Sequence, residues 1–245
     1  MADRDKHMTL VEHLEELRQR LQYAVLGLLV ATGVGLIFVD DLLQFLLRPA
    51  GNVKLTTLTV LEPFLVKVKV AFLFGFAVSM PWIMYQLYAF VDPALTETER
   101  RRTIPLSLLA GLLFACGIVF GYMVTLPGSL HWLLAQAGTQ FNALITANNY
   151  ISFVLFFLLI VGAMFETPLV ILTLAFMGVV SPQTLRREWR IAYMIIAGVA
   201  VFAAPDWSGV TMLLFAIPMV ALYEFSIVLC RIFIRPPARE PVRET

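Results

Sequence analysis

Six apolar runs constrain this chain more than any other feature. They occupy residues 21–39, 70–90, 104–126, 151–180, 191–204 and 210–230. A hydrocarbon core of roughly 30 Å takes about 20 apolar residues of helix to cross. Composition points the same way: 14% of the residues are charged, against about 25% in soluble domains, and the mean hydropathy is +0.83. The expected fold is an all-α integral membrane protein. Six transmembrane helices form one membrane domain over residues 1–235, and the Pro- and charge-rich residues 236–245 form a disordered tail. The fourth run is long enough to tilt or kink, with Pro168 as the kink point. The fifth run reaches only roughly 21 Å at about 1.5 Å per residue. Either the membrane thins there, or spans five and six form a hairpin that does not fully cross. A pair returns the chain to the same side in both cases.

Charge sets the orientation. Fourteen of the eighteen Lys and Arg residues fall on one side of the six-span pattern. They sit before span one, at Arg100–Arg102, at Arg186, Arg187 and Arg190, and in the tail. Arg48, Lys54, Lys67 and Lys69 fall on the other side. The positive-inside rule then places both termini in the cytoplasm. The outer connections are residues 40–63, 127–150 and a tight turn at 205–209. The mixed polar stretch before span one is not a cleavable signal peptide.

Chemistry for catalysis is missing. The sequence has no GxxxxGK[ST], HExxH, GxSxG or CxxC. Its three histidines, His7, His13 and His131, are too scattered for an obvious metal site. The chain is read as a non-enzyme with no cofactor and no nucleic-acid partner. If it moves something, the energy comes from elsewhere.

The cytoplasmic segments are patterned. In "TLVEHLEELRQRL", Leu10, Leu14, Leu17 and Leu21 form a helical apolar stripe, and Thr9 with Glu12 makes a capping box. A short amphipathic helix along the interface is expected, preceding span one. Glu16 lies four residues before Arg20, an ordinary helix ion pair worth about 0.3–0.5 kcal/mol. In "FVDPALTETERRR", Asp92-Pro93 marks a turn, and Thr96 with Glu99 repeats the capping pattern. Ser181 and Pro182 open a helix as N-cap and first residue. Within the fourth apolar run, "VGAMFETPLVIL" places Glu166 two residues before Pro168. A charge at mid-bilayer costs at least ~2.5–3.5 kcal/mol, so this carboxyl is a functional candidate or is bonded within the bundle. Taken alone, it also suits a small-solute or ion transporter with Glu166 as its proton or substrate site.

Seven motifs in order add a resemblance: "EHLEELRQRL", "EPF", "PWIMYQLYAFVDPAL…ERR", "FETP", "GVVSPQTLR", "PD" and "AIPM". Together they resemble the TatC family, the polytopic receptor subunit of the twin-arginine protein translocase, over nearly the whole chain. The resemblance implies a concave, cupped bundle with short fifth and sixth helices in a prokaryotic inner membrane. It also implies a receptor for the twin-arginine signal peptides of folded proteins, driven by the proton-motive force. The implied partners are the single-span subunits TatA and TatB, other copies of the chain and the lipid bilayer. Glu16 and Glu99 match the acids expected to receive the paired arginines, and planar guanidinium pairs bidentately with carboxylate. Arg18, Phe90, Pro93 and Arg101 match neighbouring positions of the same site, where helix ends and membrane anchoring are the plainer roles. Glu166 and Pro168 match an intramembrane polar site that contacts a partner. Pro49, Glu62 and Pro63 match the periplasmic cap, and Asp206 its last turn. Met194 and Val201 are candidate contacts for a partner helix. Thr211 is a further candidate, since the glutamine of the family's "TPPDVFSQ" pattern is absent and Ala204 replaces its first proline.

Overall fold

A computed structural model describes residues 10–51, 55–91, 103–137 and 144–233. The described chain is helical apart from short connections. Five helical stretches are long and apolar enough to cross a membrane, and Trp189–Ala203 is a shorter apolar helix. With no water in hydrocarbon, a helix satisfies its backbone groups internally. The chain divides into two compact units, residues 1–164 and 165–245.

The first unit opens with α1 (Leu10–Ile37), one unbroken 28-residue helix. The separate interfacial helix expected before span one is therefore absent. No Gly or Pro occurs between Leu10 and Leu26, so nothing interrupts the ladder. α2 (Val39–Leu47) and a 3₁₀ turn (Arg48–Ala50) follow, where an irregular outer connection was expected. Asp40 and Asp41 occupy the first turn of α2, where carboxylates favour the helix dipole. Strand β1 (Leu55–Thr56) leads to α3 (Glu62–Val91), which carries Pro81 in its interior.

α1 and α3 meet over small residues. A Cβ on Gly75 would lie 2.6 Å from the Thr32 backbone nitrogen, and one on Gly35 would lie 2.8 Å from the Ala71 carbonyl oxygen. Missing side chains let two backbones approach, which is how helices gain packing energy in lipid. The Trp82 indole N–H donates to the Tyr23 carbonyl at 2.9 Å, closing the same seam.

α4 (Thr103–Phe120) packs Gly111 against the Pro81 ring. It runs through a π-turn (Gly121–Thr125) into α5 (Leu126–Ala137). The helix was expected to stop near Pro127 but continues ten residues past it. A proline ring crowds the carbonyl four residues back, and the widened turn immediately before Pro127 relieves that crowding. The Thr125 hydroxyl donates to the Gly121 carbonyl at 3.1 Å. A Cβ added at Gly121 would lie 3.1–3.3 Å from Leu158 and Val161 of the next helix, so the missing side chain lets the two helices pack closely. Strand β2 (Ile145–Thr146) pairs in parallel with β1, and α6 (Ala147–Phe165) completes the unit.

The second unit begins at a break. α6 ends at Phe165 and α7 (Thr167–Phe176) starts two residues on, with Glu166 between them. The interruption falls beside Pro168, as the sequence suggests. The Glu166 carbonyl accepts from the amides of both Leu169 and Val170 at 3.0 Å. α8 (Pro182–Arg187) is capped by Ser181, whose hydroxyl accepts from the Thr184 amide at 3.1 Å. α9 (Trp189–Ala203) has 15 residues and spans roughly 22 Å, so the fifth span is short. The sixth is not: α10 (Gly209–Phe233) has 25 residues, roughly 37 Å, and this corrects the expectation of a short sixth helix. Its Pro218 stays inside the helix, and the helix runs three residues beyond the apolar stretch. Leu172 and Ala175 of α7 form a core with Cys230 of α10, covered by Ile171, Phe176, Val180 and Leu185.

Candidate functional site

The N-terminal end of α1 presents a polar face. His13, Glu16 and Arg20 are part-buried, whereas Leu14, Leu17 and Leu21 are exposed by 64%, 40% and 61%. The expected leucine stripe is thus the outward face, available to lipid. The His13 ring stacks on Phe90, near the end of α3, at 4.4 Å between centroids. The two outer turns of α1 and α3 are joined there by aromatic contact.

Glu16 sits one turn further in. Its Oε1 accepts from Arg20 Nε at 2.8 Å and from Nη2 at 2.5 Å. Its Oε2 is buried and has no partner among the described residues. One carboxylate oxygen therefore carries a guanidinium, and the other is desolvated and unspent, a costly arrangement for an isolated ion pair. Arg18 points away and pairs with Glu15 at 3.7 Å, both side chains about 70% exposed. Pro93, Glu99 and Arg101 lie outside the described residues, as do Thr96 and the arginines beside it.

Glu166 is 5% exposed, and neither of its carboxyl oxygens has a hydrogen-bond partner among the described residues. Pro168 is buried beside it in the first turn of α7. The unbonded carboxyl is thus an orphan within an apolar helical stretch.

At the far ends of α3 and α6, Glu62 is the organising group. It is 6% exposed. Oε2 accepts from the Leu58 amide at 2.7 Å, and Oε1 accepts from the Asn148 amide at 2.9 Å. One side chain thereby ties the first connection to the start of α6, 86 residues away. Tyr150 and Tyr122 donate to the carbonyls of Leu46 and Phe45 at 3.0 and 2.7 Å. Arg48 lies over the Phe45 ring at 5.8 Å. Pro49 sits in the 3₁₀ turn, and Pro63 opens α3 behind Glu62. Lys67 pairs with Asp40 at 2.7 Å.

In the second unit, the Asp206 carboxylate accepts from the hydroxyls of Ser208 and Thr211 at 2.7 and 2.8 Å. Ser208 accepts in turn from the Thr211 amide at 3.1 Å. Trp207 adopts φ 55° between them, a left-handed conformation that a bulky residue adopts at a cost. Thr211 is fully buried, so it closes the turn and offers no outward surface to a partner. Met194 is 69% exposed and shares an apolar face of α9 with Ile191, Ile195, Val199 and Phe202; Val201 is half-buried beside it. At the other end of this unit, Glu224 accepts from Arg186 at 2.8 Å and from the Tyr193 hydroxyl at 2.8 Å.

Among the described residues no group of three His, Cys, Asp or Glu side chains is placed to hold a metal ion. Sequence reasoning missed His13, Lys69 and Asn148. Lys69 alone left a signal, as a lysine inside the apolar run "VKVKVAF".

Comparison with known proteins places this architecture. The family model TatC, described as Sec-independent protein translocase protein, matches residues 12–218. A protein of that name from Aquifex aeolicus is 37% identical over 235 residues, covering 93% of this chain and 97% of its own. Another, from Carboxydothermus hydrogenoformans, is 34% identical over 234 residues, covering 95% and 96%. A crystal structure of a twin-arginine translocase receptor, TatC, superposes with a TM-score of 0.76 at 35% identity, over 91% of this chain and all of that one. A second, determined in the detergent DDM, gives 0.78.

Proposed function

This chain belongs to the TatC family of Sec-independent protein translocase proteins, and from that premise we propose that it binds twin-arginine signal peptides at the α1–α3 end. It is a multi-pass translocase component and not an enzyme. The observation that carries the reading is Glu16. Its carboxylate already accommodates one guanidinium, with a second oxygen buried beside it and unspent. An incoming arginine replaces Arg20 and uses both oxygens, and a bidentate pair is stronger than the one-oxygen contact it displaces. Phe90, stacked on His13, fixes the wall of the site. Glu99 supplies the second acid, Pro93 and Arg101 shape the connection that carries it, and Arg18 anchors the helix by its charge.

The exposed apolar face of α9, with Met194 at its centre and Val201 beside it, receives the single membrane helix of a TatB- or TatA-like partner. The orphan carboxyl of Glu166 offers that assembly a polar contact inside the bilayer. Pro49, Glu62 and Pro63 stabilise the periplasmic connections of the first unit, and Asp206 stabilises the periplasmic turn between α9 and α10. Both termini lie in the cytoplasm of a prokaryotic inner membrane, and the proton-motive force drives the export of folded proteins.

Photo-crosslinking of a twin-arginine signal peptide in native membranes tests the site. The crosslink is expected to vanish in the Glu16→Ala plus Glu99→Ala variant and with a twin-lysine peptide, while the protein remains inserted. An undiminished crosslink in that double variant would move the receptor site to another surface.

A further inference from the structure

We propose that the α3–α6 face of the first unit holds one anionic phospholipid, with its phosphate on Lys69 and an acyl chain in the groove below. The groove measures about 410 Å³ and is lined by Val68, Lys69, Phe72, Ser152, Leu155 and Phe156. Phe72 and Phe156 of this lining are 36% and 44% exposed, so the groove lies open on the apolar surface of these spans.

Lys69 is the only charge among the described lining residues. Its ammonium donates to Asn148 Oδ1 at 2.6 Å and to Ser152 Oγ at 2.7 Å. Both partners are neutral. An ammonium has three donors, and the third has no acceptor among the described residues. Lys67, two residues earlier, has its acid in Asp40, but Lys69 makes no ion pair among the described residues. The nearby Glu62 carboxylate is already occupied by two backbone amides. A cation so placed at the membrane edge is costly unless an anion reaches it.

Position selects the anion. Lys69 lies seven residues into α3, roughly 10 Å along the axis. Its amine reaches back toward Asn148 in the first turn of α6, the direction in which a lysine snorkels toward headgroups. One charged group above and only carbon below is the pattern of an amphiphile. A peptide would bring backbone N–H and C=O groups that this lining cannot bond. A zwitterionic headgroup would bring an ammonium that meets no carboxylate in the groove. Both arguments favour a lipid with net negative charge.

The test uses the purified full chain in dodecyl maltoside. It is titrated with dioleoyl phosphatidylglycerol or dioleoyl phosphatidylcholine, and bound lipid is read by native mass spectrometry. Wild type is expected to hold the anionic lipid roughly fivefold more tightly, the worth of one basic residue at an anionic surface. Lys69→Met, which keeps the apolar stem, loses the preference; Lys69→Arg keeps it; and Lys67→Met leaves it unchanged. Should Lys69→Met fail to fold, Leu155→Trp fills the groove with the lysine intact and is expected to expel the same lipid. An unaltered preference in Lys69→Met, or in Leu155→Trp where that variant replaces it, overturns the proposal. So does an equal loss in Lys67→Met, which would reduce the effect to general basicity. Displacement of the lipid by free inorganic phosphate at equal concentration would show that the groove contributes nothing, and would overturn it as well.

Discussion

Substituting Gly75 by alanine tests the seam that aligns α1 with α3. The added Cβ would lie 2.6 Å from the Thr32 backbone nitrogen and 2.7 Å from its Cα, against 3.4 Å for ordinary contact. The helices must therefore part by about 0.8 Å, the difference between 3.4 and 2.6 Å. Overpacking of this kind costs about 1–3 kcal/mol, and replacing a helical glycine returns roughly 0.5–1 kcal/mol of that. The expected net loss is about 0.5–2 kcal/mol, read as a lower midpoint in SDS-titrated unfolding of the purified protein. Gly33→Ala is the internal control, because nothing lies within 4 Å of its added Cβ; it is expected to be neutral or mildly stabilising. The Thr32 hydroxyl also lies against the added Cβ, so Thr32→Ala in the Gly75→Ala background removes that conflict but leaves the backbone atoms in place and restores only part of the loss. Because α1 carries Glu16 and His13 while α3 carries Phe90, the crosslink to a signal peptide should weaken in parallel. A Gly75→Ala protein as stable as wild type would refute close backbone approach as the basis of the seam. Full rescue by Thr32→Ala would show that only a side chain was in the way.

Two further outcomes follow from the polar groups. Glu62→Ala is expected to speed hydrogen exchange at the Leu58 and Asn148 amides, which lose their acceptor, while exchange at Thr184, capped by Ser181 in the second unit, is unchanged; protection retained at both amides would show that the carboxylate does not organise the outer connections. Glu166→Gln is expected to insert and accumulate like wild type, since no described group bonds the carboxyl, yet to stop export of a twin-arginine reporter; normal export would remove any need for its ionisation.

Much of the fold was legible because hydrophobic length is a local property. The spans, the break beside Pro168, the Ser181 cap and the Glu16–Arg20 pair all follow from residues within a few positions of one another. The missing information is of three kinds. Periodicity identifies a leucine face on α1 but not its direction, because lipid and protein core are both apolar. In water that face would have turned inward; here His13, Glu16 and Arg20 do. Long-range partners leave no local trace: Glu62 meets the Asn148 amide only once two connections fold together. Capping chemistry also competes with surface roles. Thr211 looked available in the sequence, yet Asp206 and Ser208 draw its hydroxyl into their turn and the residue is buried. Motif order points to a candidate receptor site in the sequence, and of its residues the structure shows Glu16 in the one-oxygen contact with Arg20.

The π-turn at Gly121–Thr125 has a consequence for lineage and engineering alike. Along α4 the buried positions step through Ser107, Ala110, Gly111, Phe114, Gly117 and Gly121. They continue at Thr125, which closes the turn, and beyond it at Leu126, Ser129 and Leu130, on average about one residue later than a straight α-helix would place them. A π-turn holds one residue more than the α-helical turn it replaces, so the helix accommodates one extra residue here as a bulge. Each residue advances an α-helix by about 100°, so deleting one residue there and straightening the helix would rotate everything from Leu126 to Ala137 by that angle. Ser129 would leave its buried position, and the exposed Trp132 would change face. Length polymorphism in this stretch should thus be tolerated only where the bulge appears or disappears with it, and an alignment that gaps the third span anywhere else would misassign its inner and outer faces.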